Sequence, residues 1–202
     1  MKQRWIQSVL LSAALLWGVP MTVAQGAEAF PATSQLGGQS LVMNGKGTRF
    51  RAVFSVYELA LYLPQKTSDP KQVLSMPGPK QARFVALRDI PADQFGLSLV
   101  SGMRQNVDPA HEVEVLTYMN DVIQVFSTAP TIKSGQTFRV DYVPGQGTRF
   151  FLNGQQKGPT VASPRFAAAV FSIWMGPRPV DDRLKEALLG VQASSQPDVH
   201  LN

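Results

Sequence analysis

Two kinds of hydrophobic pattern alternate along this chain. The dominant run is Asn44 to Pro64. Val53, Leu59, Leu61 and Leu63 fall on one parity; Phe54, Val56, Ala60 and Tyr62 fall on the other. Aromatic and β-branched residues in such a run predict a strand. Apolar residues on both parities predict a strand covered on both faces. The run therefore reads as a central strand, with helices on one side and something else on the other. A tight Asn44-Gly45 turn leads into it from a shorter strand at Ser40 to Asn44, and Pro64 ends it. Further strands are predicted at Gln81 to Ile90, Thr137 to Val143 and Thr148 to Leu152, separated by turns containing Gly or Pro.

Helical spacing fills the gaps. Pro91 opens a helix with Phe95, Leu99 and Met103 at i, i+4 and i+8. Asp108-Pro109 caps another, striped by Val115, Met119, Val122 and Phe126. Ser163-Pro164 caps a third, carrying Phe166, Val170 and Trp174 and stopped by Gly176-Pro177. Short helices are expected after Asp69 and after Asp181. Antiparallel meanders with segregated helices predict an α+β sandwich. One echo stands out: Gly45-Lys-Gly-Thr-Arg-Phe50 and Gly145-Gln-Gly-Thr-Arg-Phe150. It does not extend beyond six residues, so similar turn demands in two hairpins account for it better than a repeat does.

Composition changes the picture at the ends. Lys2 and Arg4, the short apolar stretch Val9 to Trp17, and the small residues after it read as a secretory signal peptide over 1–26. The stretch is too short to span a bilayer, so no stable membrane anchor is expected after cleavage, and the protein is expected in the periplasm. A domain over 27–190 and a flexible C-terminal tail over 191–202 follow. That domain is large enough to bury a substantial core. The formal charge of +5 falls to +3 once Lys2 and Arg4 leave with the leader, and the remaining cations are scattered. Nucleic acid is not an expected partner. There is no cysteine, so neither disulfides nor thiolate chemistry is available.

Candidate chemistry is sparse. His111 and His200 are the only histidines, and no His, Asp or Glu cluster has metal-ligand spacing. The Gly45-x-Gly47 pair lacks a third glycine and leads into a strand, so no phosphate loop or cofactor is expected. Asp93, Asp121, Asp141 and Glu112 read as dispersed and solvated. What remains is Arg49 and Tyr57 on an apolar platform. A guanidinium can hold an anion by charge-assisted hydrogen bonds. A phenol can donate to the same anion or polarise a carbonyl. The pair suits a ligand with an apolar body and an anionic end. On one straight strand the two would stand ~26 Å apart. They share a ligand only if the chain bends between them or Arg49 reaches back. The bland alternatives are a surface turn role for Arg49 and backbone-carbonyl partners for the polar groups at Tyr57, Tyr62 and Arg49.

Several stretches together carry a resemblance. They are Leu41 to Arg49, Val56 to Pro64, Leu87-Arg-Asp-Ile90, Asp141 to Thr148, Phe166 to Gly176, Pro179-Val-Asp181 and Leu184 to Gly190. In this order and spacing the chain resembles the chalcone isomerase-like family of secreted bacterial proteins, over nearly all of 27–190. The resemblance implies an open-faced sandwich: a large antiparallel sheet with helices on one face and a ligand cleft between the layers. It implies two outcomes on one scaffold. Plant chalcone isomerases close a chalcone to a flavanone, with an arginine on the phenolate and Thr and Tyr on the ketone. Related plant proteins bind fatty acids, with Arg and Tyr on the carboxylate. Arg49 falls at the family's arginine. Tyr57 stands where the isomerases carry a threonine, which is closer to the fatty-acid binders. No residue is assigned as catalytic; Tyr118, Asn120 and Thr160 lie in the regions of the enzyme's remaining residues without matching them. The leading expectation is a binding protein for a fatty-acid-like anion. The alternatives are an intramolecular lyase acting on chalcone-like enones and a non-catalytic protein-interaction module. Oligomeric state is left open.

Overall fold

The computed structural model of the chain describes residues 29–126 and 130–191. The expected signal peptide and the tail from residue 192 lie outside the described residues. Nine strands and six α-helices follow in the order β1 (Thr33–Leu36), β2 (Gln39–Arg51), β3 (Phe54–Leu63), α1 (Pro70–Ser75), β4 (Lys80–Ala86), β5 (Ile90–Pro91), α2 (Ala92–Asn106), a 3-10 turn at Pro109–His111, α3 (Glu112–Thr117), α4 (Met119–Phe126), β6 (Thr131–Ile132), β7 (Thr137–Val143), β8 (Gly147–Leu152), β9 (Gln155–Val161), α5 (Pro164–Met175) and α6 (Asp182–Leu188). Seven strands form one antiparallel sheet in the order β1-β2-β3-β4-β7-β8-β9. β5 and β6 pair separately.

Helix α5 is the centre of the layer above the sheet. Ser163 caps it, its Oγ accepting from the Phe166 amide at 3.1 Å. Every residue from Ala169 to Met175 is buried, as befits a helix apolar all round. Helices α1, α2, α3 and α6 pack around it. Between α5 and the sheet lies an aromatic core of Phe84, Phe95, Phe126, Phe138 and Trp174, with ring centroids as close as 5.0 Å.

Both faces of β3 are covered, as the parity predicts. Tyr57, Leu59, Leu61 and Leu63 join the core beneath the helices. On the outer face Ala60 and Tyr62 pack with Phe30, Leu36 and Leu41, brought by the entering chain, β1 and β2. Tyr62 takes the bland partner: its hydroxyl donates to the Pro31 carbonyl at 2.8 Å. Beside this patch Asp141 is buried. It accepts from Gln81 Nε2 at 2.7 Å and lies 3.1 Å from Arg139 Nε. The expectation that Asp141 is solvated is therefore wrong. Burial raises its pKa, opposed by Arg139, Gln81 and two further arginines.

The run from Asn44 to Pro64 is not one strand. β2 passes straight through Asn44-Gly45, with a bulge between Met43 and Gly45, and the chain reverses at Ala52-Val53. Asn44 is used as a bracket rather than a turn. Its amide donates to the carbonyls of Thr67 (3.0 Å) and Leu188 (2.7 Å) and accepts from the Thr67 amide at 2.7 Å. Gly45 and Gly47 let the end of α6 lie directly on β2. A Cβ on Gly45 would overlap the Ala187 carbonyl oxygen, and one on Gly47 would sit 2.6 Å from Ala187 Cβ. The true turn carries no glycine. Ala52 holds φ at 52° there, a conformation unusual outside Gly, Asn and Asp. The predicted strand through Ile90 likewise stops at Ala86, and the helix expected after Asp108 breaks into the 3-10 turn, α3 and α4.

Candidate ligand cavity

The Ala52-Val53 reversal brings the two candidate residues together. Arg49 of β2 and Tyr57 of β3 are direct cross-strand partners. Such partners lie about 5 Å apart at Cα, in place of the ~26 Å of a straight strand. Direct partners project from the same face, here the helix-bearing one. Both line a cavity of about 810 Å³ between the β2–β3 hairpin and α2 and α5. Its walls include Val56, Ile90, Phe95, Leu99, Ile173 and Val180. Polar side chains share the lining: Arg49, Tyr57, Arg51, Arg88, Asp89, Gln94 and Ser98.

Arg49 is not a surface turn residue. Its side chain is 21% exposed and lies 3.3 Å from Asp181 Oδ2. It also donates to the Phe50 carbonyl, so the backbone-carbonyl reading holds in part. Asp181 serves two elements. Its Oδ1 caps α6 through the Leu184 amide at 3.1 Å, while its Oδ2 receives Arg49 and the Phe50 amide. The α6 cap thus fixes the guanidinium at the cavity rim.

Tyr57 is buried, and its ring packs edge-on against Phe84 and Phe95. Trp174 Nε1 donates to its hydroxyl oxygen at 3.1 Å. Burial pushes the phenol up from 10.0 to about 12; the Trp174 hydrogen bond and the Arg49 guanidinium oppose that rise. The hydroxyl is therefore protonated across the physiological range. It accepts from Trp174 and interacts with the Arg49 guanidinium, which leaves its own O–H to give to a ligand. Arg49 and Tyr57 together offer a fixed cation and a neutral donor, a pair suited to a carboxylate, a phenolate or a polarised ketone.

Trp174 and Asp181 were missed as parts of the site. Both were visible in the sequence, but as a helix-stripe residue and a helix cap. Tyr118, Asn120 and Thr160 do not line the cavity. Tyr118 packs on Phe166, while Asn120 and Thr160 are exposed. Among the described residues no cluster of His, Asp or Glu has metal-binding geometry. Nor is any helix among them long and apolar enough to cross a membrane.

Comparison with known proteins places this architecture. The crystal structure of an Arabidopsis thaliana fatty-acid binding protein superposes with a TM-score of 0.59 at 14% identity, covering 79% of this chain and 90% of that one. The two share a fold. No curated protein matches the sequence. The sequence model described as chalcone isomerase-like matches residues 22–190. By that match and by its fold, the chain belongs to the chalcone isomerase-like family.

Proposed function

We propose that this protein binds a small molecule with an apolar body and an anionic end, of the fatty-acid type, with Arg49 and Tyr57 at the head group. One observation carries the reading: the cross-strand pairing that sets these two side chains together in the wall of one cavity whose lining is mostly apolar. Its volume of about 810 Å³ lies within the range of small-molecule sites. The fold shared with a plant fatty-acid binding protein supports it. The expected leader supports export to the periplasm as the place of action. Mass spectrometry of lipid extracted from the purified protein, with a titration of a fluorescent fatty acid, tests the reading. Saturable binding competed by unlabelled fatty acid is the expected outcome; a protein that carries no lipid and gives no saturable signal overturns it.

The Tyr57 phenol favours one second reading. A neutral donor beside a guanidinium can also polarise an enone ketone while the cation holds a phenolate, and intramolecular closure then needs only orientation and charge stabilisation. Loss of chalcone absorbance, abolished in Arg49→Ala, would establish it.

A further inference from the structure

Exposed apolar side chains of the described fold cluster beside the cavity. Seven large apolar side chains are exposed, and five of them belong to the hairpin tip or to the elements beside it: Phe50 (45%), Val53 (84%), Phe54 (59%), Leu87 (38%) and Leu97 (53%). Phe54 and Leu97 also line the cavity, so the patch and the opening are continuous. An exposed apolar turn is anomalous, since turns ordinarily carry polar residues. Cations frame it. Arg88 lies 5.2 Å over the Phe54 ring, and Arg51 ends β2 next to the turn. Among the described residues neither Arg51 nor Arg88 has a carboxylate partner. The carboxylates nearby are engaged elsewhere: Asp89 by Lys133 Nζ (2.8 Å) and the Ser134 amide (3.0 Å), and Asp181 by Arg49 and the Phe50 and Leu184 amides.

We infer that the β2–β3 hairpin tip is a docking surface for an anionic lipid bilayer, which it meets with Val53 and Phe54 inserted and Arg51 and Arg88 on the head groups. Apolar side chains flanked by arginines match the boundary between acyl chains and anionic head groups. A twofold contact with a second copy would bring the same arginines against each other, so charge disfavours that occupant. Docking would face the cavity mouth to the membrane, and an amphiphile could pass between them without crossing water. The inference extends the lipid-binding reading of the cavity, but its test is separate.

Sedimentation with phosphatidylcholine vesicles, with and without phosphatidylglycerol, tests it. Wild-type protein and Val53→Glu are compared in the same purified form, so any contribution from residues 1–28 is common to both. Val53 lies outside the cavity lining and is largely exposed, so the substitution leaves the fold and fatty-acid affinity in vesicle-free buffer intact. The wild type should sediment with phosphatidylglycerol vesicles, release as salt is raised, and bind neutral vesicles far less. Val53→Glu should weaken the association by about tenfold or more. No association, equal salt-insensitive binding to both vesicle types, or an unaltered Val53→Glu would each overturn the inference. So would a Val53-dependent dimer that ignores vesicles. Fatty-acid binding in solution without vesicle association leaves the cavity reading standing and removes this one; vesicle association without fatty-acid binding does the reverse.

Discussion

The same six-residue pattern occurs twice in this molecule and does opposite things. In Gly45–Phe50 the arginine, Arg49, faces the helices, lines the cavity and pairs with Tyr57 and Asp181. In Gly145–Phe150 the arginine, Arg149, pairs across the strand with Asp141 on the outer face. The neighbours invert as well: Phe50 is exposed whereas Phe150 is core, and Thr148 is fully buried. A strand's side chains alternate with period two, so a one-residue difference in phase sends every residue to the other face. The glycines differ because the turn falls at a different place relative to the motif. Gly145 turns the chain at φ +77° with open space around it, while Gly45 lies in a strand pressed against α6. Shared turn demands, the sequence-based explanation of the echo, therefore do not account for it. The motif specifies a local chain that tolerates close approach; phase decides whether its arginine builds a ligand site.

The largest effect should separate the glycines. Gly45→Ala must push the end of α6 off β2 and should cost about 3 kcal/mol or more, because backbone, not a flexible side chain, is in the way. Gly145→Ala meets nothing and should cost only about 1 kcal/mol, through its left-handed φ. Urea denaturation of both variants measures the gap; equal losses would mean that the contact with α6 is unimportant.

Next come the partners of the two arginines. The Tyr57 hydroxyl ionises at about 12 in the fold against 10.0 unperturbed. Its folded pKa is raised, so its contribution to stability is complete below pH 10 and is lost as pH rises toward 12. The loss should reach about 2–3 kcal/mol and be absent from Tyr57→Phe. Unfolding free energies of the two proteins at pH 8 and pH 11.5 check this, since every other group is common to both.

Smaller, and aimed at function, is the arginine comparison itself. Arg49→Ala should weaken fatty-acid binding by at least about tenfold, the scale of one charge-assisted hydrogen bond. Arg149→Ala, on the outer face, should leave that affinity unchanged. Isothermal titration of both variants decides whether phase selects the functional arginine. Asp181→Asn keeps an acceptor for the α6 cap but removes the charge beside Arg49, so a shift of only a fewfold is expected.

Much of the architecture was legible because it is written in local periodicity. The stripes at Phe95, Leu99 and Met103 and at Phe166, Val170 and Trp174, the caps at Asp69, Asp108, Ser163 and Asp181, and the glycine turn at Asn153-Gly154 all lie where neighbouring residues dictate them. Arg49 and Tyr57 were legible as chemistry, since a cation and a phenol stand out in an apolar run. Their meeting was not. It depends on a turn at Ala52-Val53 that carries no turn residue, held because β2 and β3 pair right up to Arg51 and Phe54 and β4 fixes β3 from its other side. The role of Gly45 depends on α6, some 140 residues away in sequence. The donor to Tyr57 comes from α5, and the anchor of Arg49 from the cap of α6. The sequence by itself determined which elements form and which side chains carry chemistry, because helix and strand periods and caps are short-range. Tertiary structure alone decided which arginine faces the cavity and what holds it there, because strand phase and packing are settled by contacts between segments far apart in the chain.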